Sequence, residues 1–116
     1  MRFRDNDHKQ RFLEILTRMK TSDVYNASIA YLFALDTNIN DKRLAECFDF
    51  ENNSIKPQVL EASWLTGTDR RTLKLAFNLW NDHHKADVAD SFGYIDSDNI
   101  EYLFEAIRIR FGAVDL

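Results

Sequence analysis

The segment from Val24 to Leu35 does most to constrain the fold of this chain. Val24, Ile29, Tyr31, Leu32, Phe33 and Leu35 place apolar side chains on nearly every side of a helix, and a helix without a polar face is buried by its neighbours. The rest of the chain has to wrap around it. Only three Gly and one Pro occur among 116 residues. A sheet-rich fold of this size uses more turn residues, so the wrapping elements are expected to be helices as well. A chain of this length forms one domain and buries roughly two thirds of its unfolded surface, so no staple is required. With 45% hydrophobic residues, nine Phe, four Tyr, two Trp and a net charge of −4, it is not a disordered chain. The expected fold is all-α: a compact single-domain bundle of about five to six helices.

Periodicity places the other elements around that central helix. A first helix is expected from about Asp7 to Met19, with Phe12, Ile15, Leu16 and Met19 at helical spacing and Asp5 or Asn6 as cap. Thr21-Ser22-Asp23 breaks and recaps the chain before Val24. Asp36-Thr37-Asn38 turns it again, and Asn40 or Asp41 starts a third helix ending near Phe48. Asp49 to Lys56 reads as polar and irregular. Pro57, at home in the first helical position, opens a short helix to about Trp64 that stops at Thr66-Gly67. Thr68 or Asp69 then caps a fifth helix running through Asn81, with Leu73, Ala76, Phe77 and Trp80 on one face. Asn81 to Gly93 is the longest polar connection and reads as a mobile loop. Ser97 caps the last helix, where Ile100, Leu103, Phe104, Ile107 and Phe111 form the expected buried stripe. Arg108 and Arg110 suit its C-terminal end, and Gly112 its left-handed stop.

Few residues point to chemistry. The single cysteine, Cys47, has a helical, apolar context and no neighbouring His, so it reads as an inert core thiol. Asp82-His83-His84 with Asp87 and Asp90 gathers metal-binding residue types. Adjacent histidines diverge on a helix, however, and zinc motifs space them roughly three to five residues apart, so a solvated loop accounts for them. Asp96-Ser97-Asp98-Asn99 resembles a calcium loop but lacks its central Gly, and helix capping explains it. His8, beside Asp5 and Asp7, is a general base only if a pocket forms there. No nucleophile elbow and no phosphate-cradling glycine loop is present. We therefore expect no catalytic residues, no cofactor and no metal. The chain opens without the apolar run of a signal peptide, and its longest apolar stretch, Ile29 to Leu35, is too short for a bilayer. A cytoplasmic location and no membrane partner are expected.

Two features point to binding. Arg2, Arg4, Lys9, Arg11, Arg18 and Lys20 make the first stretch basic, whereas the stretch from Asp82 to Glu105 is acidic. Such asymmetry steers partners, or simply lets the two faces attract each other. Phe92, Tyr94 and Tyr102 fall near the acidic stretch and suit an exposed apolar patch, while Trp64 and Trp80 read as core. The segment 57–81 has the outline of a helix-turn-helix in which Arg70, Arg71 and Lys74 meet phosphates or guanine edges. Against this, the second helix is rich in Leu75, Phe77, Leu79 and Trp80, which leaves little polar surface to read bases.

The chain also resembles a family of small uncharacterised proteins from Firmicutes, their phages and conjugative elements. The resemblance rests on Phe3-Arg4-Asp5 with His8-Lys9, Asp23-Val24-Tyr25, Tyr31-Leu32-Phe33-Ala34-Leu35, Asp49-Phe50-Glu51 and Ile55-Lys56-Pro57. It continues through Trp64 with Thr66-Gly67, Leu75-Ala76-Phe77-Asn78-Leu79-Trp80 and Glu105-Ala106-Ile107-Arg108-Ile109-Arg110-Phe111, nearly the full length. The loop after Trp80 departs from the family pattern, which weakens any shared role for His83 and His84. The family has no assigned function, so the resemblance implies a mobile-element setting but no activity.

Taken together, the expectation is a non-enzymatic protein-binding module that occludes or modulates a host protein, for example defence machinery of the CRISPR type. Asp96, Asp98, Glu101 and Tyr102 would be its contact residues, and a homodimer is a further expectation. The alternative is a DNA binder using Arg70, Arg71 and Lys74.

Overall fold

The computed structural model describes residues 1–93 and 98–115. Its first helix, α1 (Asn6–Arg18), starts where the Asp5 carboxylate accepts the His8 N–H, and it buries Phe12 and Ile15 while Met19 closes the stripe. At α2 (Val24–Leu35) the carboxylate of Asp23 accepts the Asn26 N–H, and every residue from Asn26 to Leu35 is buried. α2 is the centre of the fold, as its lack of a polar face predicts, with α1, α4 (Gly67–Trp80) and α6 (Ile100–Arg110) packed against it. The molecule is compact, with a radius of gyration of 12.8 Å. Among the described residues no helix is long and apolar enough to cross a membrane.

Four sequence expectations about the fold before α6 are corrected. The fold is mostly helical rather than all-α. After α3 (Asp41–Cys47), capped by Asn40, the chain forms a small antiparallel hairpin of β1 (Phe48–Asp49) and β2 (Ser54–Ile55), pairing Phe48 with Ile55. Its turn is built from side chains: the Asp49 carboxylate accepts the N–H groups of Glu51 and Asn52, and Asn53 takes the left-handed conformation at φ 51°. Second, Pro57–Glu61 is a 3₁₀ turn rather than an α-helix reaching Trp64. Third, the cap of α4 is Thr66. Its hydroxyl accepts the Asp69 N–H while the Asp69 carboxylate accepts the Thr66 N–H, so Gly67 opens this helix instead of closing the preceding segment. Fourth, the polar stretch after Asn81 contains a short helix, α5 (Val88–Gly93), where the Asp87 carboxylate accepts the Asp90 N–H.

α6 starts at Ile100, later than expected, with Asn99 rather than Ser97 in the cap position, and it does not keep its expected face. Leu103, Ala106 and Ile109 are buried, together with Glu105, whereas Phe104 and Phe111 are exposed. The helix has turned so that Tyr102 and Glu105 meet the N-terminal segment. The stop is as read: Gly112 sits at φ 73°, and the N–H groups of Gly112 and Ala113 return to the carbonyls of Ile109 and Arg108. The expected Ser97 cap lies outside the described residues.

Candidate functional site

The basic start of the chain and the acidic C-terminal third come together at a seam. Arg2 pairs with Glu101 at 3.5 Å, and its backbone N–H donates to Glu105, which is 4% exposed and also pairs with Arg108 at 3.3 Å. The Tyr31 hydroxyl donates to the Arg2 carbonyl, and burial raises that phenol's pKa well above its ordinary value. Tyr102 lies under the Arg2 guanidinium and edge-on to His8, with ring centroids 6.1 Å apart. Both nitrogens of His8 are engaged. Nδ1 accepts the Arg4 N–H at 3.1 Å and Nε2 lies 3.0 Å from the Tyr31 carbonyl, which fixes the proton on Nε2. Burial lowers its pKa, so His8 is a neutral pin between α1 and α2. Of the four contact residues expected from the sequence, Glu101 and Tyr102 thus serve the seam, Asp98 is exposed, and Asp96 lies outside the described residues.

A pair of carboxylates sits between α2 and α4. Asp36 follows the last turn of α2, and Asp69 is the third residue of α4. Asp69 accepts the Thr66 N–H at 2.9 Å and the Asn38 amide at 2.6 Å. Asn38 is itself held by Arg43, whose guanidinium lies 4.8 Å above the Trp64 ring. Asp36 accepts the Asn38 N–H through Oδ1, but its buried Oδ2 has no donor if both carboxylates are ionised. A proton on Asp36 resolves this by turning Oδ2 into a donor toward Asp69. Burial first, then the hydrogen bond and charge of Asp69, raise Asp36 to about 7. Burial also acts to raise Asp69, but the hydrogen bonds from Asp36, Thr66 and Asn38 outweigh it and hold that carboxyl below its ordinary value. Two shallow clefts of about 170 and 280 Å³ open beside the pair and share Arg4, Asp36 and Thr37; His8 lines the larger. The arrangement favours the protonated form of Asp36 and the ionised form of Asp69. With both nitrogens bonded, His8 has none to offer a substrate in that cleft.

The third region is the outer surface of α5 and α6. Phe104 is 42% exposed and Phe111 69%. The Phe92 ring stacks on Phe104 with centroids 4.8 Å apart, so the two helices share one apolar surface. At its end, the Arg110 guanidinium lies 4.1 Å from the Tyr25 ring and 4.8 Å from that of Phe111, while its Nε donates to the Leu79 carbonyl. Sequence reasoning placed Phe92 on a patch but assigned Phe104 and Phe111 to the core.

The cations of α4 are largely occupied within the chain. Arg70 donates twice to the Leu60 carbonyl, at 3.2 and 3.1 Å. Arg71 pairs with Asp90 at 3.4 Å and folds back over Gly67, where a Cβ would lie 3.2 Å from its guanidinium. Lys74 is half-buried, as are both arginines. His83 is exposed, and the His84 carbonyl accepts the Asn78 amide at 2.7 Å. Among the described residues no group of three or more His, Cys, Asp or Glu is placed to hold a metal ion. Cys47 is fully buried, and burial pushes its thiol up to about 12, far from a reactive thiolate.

The chain belongs to a family of unknown function, DUF6075, whose profile matches residues 1–114. No curated protein and no solved structure matches it.

Proposed function

We propose, for this member of a family without assigned activity, a non-enzymatic protein-binding module that presents the outer face of α5 and α6 to another protein. The observation that carries the reading is the pair of exposed aromatic rings, Phe104 and Phe111, on one face of α6, with Phe92 stacked on the first. Large apolar side chains gathered on one face mark an interaction surface where the same residues scattered singly would not. Glu101 stands one turn before Phe104 in α6, and the exposed Asp98 precedes the helix. In the mobile-element setting implied by the family resemblance, the partner is a host protein whose action is occluded or altered, defence nucleases included.

The DNA-binding reading of 57–81 draws less support. A recognition helix needs one polar face free to enter a groove. In α4, Leu73, Leu75, Ala76, Phe77 and Leu79 are buried, Arg70 is tied to Leu60, and the element before it is a 3₁₀ turn. Lys74 and the outer part of Arg71 are the basis that remains.

The test is affinity capture of the tagged chain from a host lysate, with and without nuclease, beside a Phe104→Ser/Phe111→Ser variant. A dominant protein that survives nuclease and is lost from the variant supports the module. Partners that vanish with nuclease and follow an Arg70→Ala/Arg71→Ala/Lys74→Ala variant instead would transfer the reading to α4 and DNA.

A further inference from the structure

The outer face of α6 carries a pattern more specific than apolar exposure. Glu101, Phe104, Arg108 and Phe111 recur at intervals of three, four and three residues, the spacing of the seam residues where two helices pack along each other. Phenylalanine alternates with charge along this line. The charges are ordered as well: Asp98 and Glu101 stand at the N-terminal end, and Arg108 and Arg110 at the C-terminal end. Glu101 and Arg108 each make one ion pair within the chain, yet the side chain of each stays 47% exposed and open to a second.

We infer that this stripe is the docking surface for a second copy of the chain, with the two α6 helices antiparallel about a two-fold axis level with Ala106. The charge order selects this occupant and this direction. A parallel pair sets acid against acid and arginine against arginine, whereas an antiparallel pair sets each acidic end beside the copy's basic end and opposes the two helix dipoles. Phe104 of each copy then lies against the other's Arg108, a cation–π contact, and Glu101 comes beside the other's Phe111 and Arg110. A two-fold contact is closed, so it yields a dimer and no larger array. The contact is one helix wide, so the dimer is weak and depends on concentration. The inference goes beyond the proposed function: it rests on reading that face as an interaction surface, and it makes the second copy a competitor of the host protein for that surface.

The experiment is sedimentation velocity on the full chain over a roughly hundredfold concentration range, for the wild type and Phe111→Asp. Phe111 is exposed, so this substitution leaves the core untouched, and circular dichroism checks the fold. The wild type shifts from monomer toward dimer with concentration, and the variant needs at least about tenfold more protein to do so. Direction is read from cross-linking. Glu101→Cys/Phe111→Cys gives a disulfide-linked dimer under mild oxidation, whereas Glu101→Cys alone does not. Within one chain the two positions stand about 15 Å apart along the helix, too far to bridge. A wild type that stays monomeric throughout, a dimer indifferent to Phe111→Asp, or equal cross-linking by the single-cysteine variant each overturns the proposal. A monomer that still loses a captured host protein on Phe104→Ser/Phe111→Ser removes the second copy and leaves the proposed function standing.

Discussion

Between α2 and α4, two carboxylates are drawn out of water; on the outer face of α6, two phenylalanines are left in it. Both placements run against the usual sorting of polar and apolar groups, but they are not equivalent. The carboxylates are accounted for inside the chain. Asp69 has the Thr66 N–H and the Asn38 amide, and Asp36 has the Asn38 N–H, with burial and the charge of Asp69 favouring a proton on Asp36 in place of a second donor. The phenylalanines are less fully accounted for among the described residues, where the Phe111 ring lies beneath the Arg110 guanidinium and the Phe104 ring stacks on Phe92. A buried polar group with all its partners is architecture, whereas an exposed apolar group without a full set points outside the molecule.

Removing Asp69 breaks the first half of this comparison hardest. Asp69→Ala takes away the reciprocal cap of α4, leaves the Asn38 amide without an acceptor and isolates Asp36. Loss of a cap costs about 1 kcal/mol, and an unsatisfied buried donor about 1–3. We expect a total of about 2–4 kcal/mol in urea denaturation, and a loss below about 1 kcal/mol would mean that the pair is not holding α2 to α4.

Asp36→Asn is smaller and opposite in sign at alkaline pH. The folded pKa of Asp36, about 7, lies above the ordinary 3.8. Its contribution is therefore complete below the unfolded value and lost as pH rises through 7. An amide donates to Asp69 at every pH, so the variant should gain about 1–2 kcal/mol on the wild type between pH 5 and 8, the gain having begun above about pH 4 and levelling off above about 7. His8, whose lowered pKa makes stability rise with pH below 6.5, is common to both proteins and cancels in the difference. A variant-minus-wild-type stability that is flat from pH 5 to 8 would show that Asp36 is not kept protonated. Arg4 lines both clefts beside the pair, so high salt should steepen the effect only slightly.

How much of this was legible in the sequence depends on how far apart the deciding residues lie. The bounds of α2, with Asp23 before it, and the Gly112 stop are local features and read correctly. The hairpin escaped because strands of two residues carry no period, and its turn depends on Asp49 reaching its own neighbours. Thr66 escaped because Thr68 and Asp69 offered equally good caps within three residues. The face of α6 was misread for a longer-range reason. Ile100, Leu103, Phe104, Ile107 and Phe111 form a better stripe than the one observed, yet Glu105 answers an N–H 103 residues away and Tyr102 meets His8. Asp36 and Asp69 looked like a turn and a cap; only the fold reveals that they face one another.

The smallest stability effects sharpen the second half of the comparison. Phe104→Ser should cost about 1 kcal/mol, chiefly the stack with Phe92. Phe111→Ser should change stability by less than about 0.5 kcal/mol, since the ring is 69% exposed and Arg110, which lies over it, keeps Tyr25 and the Leu79 carbonyl. Its effect on association should be as large as that of any residue in the chain. Thermal melts and sedimentation on the same samples separate the two. If Phe111→Ser melts several degrees lower, the ring belongs to the fold, and the contrast with the carboxylate pair collapses into two kinds of internal packing. If the melt is unchanged and association falls, the ring is kept for something that this chain alone does not contain.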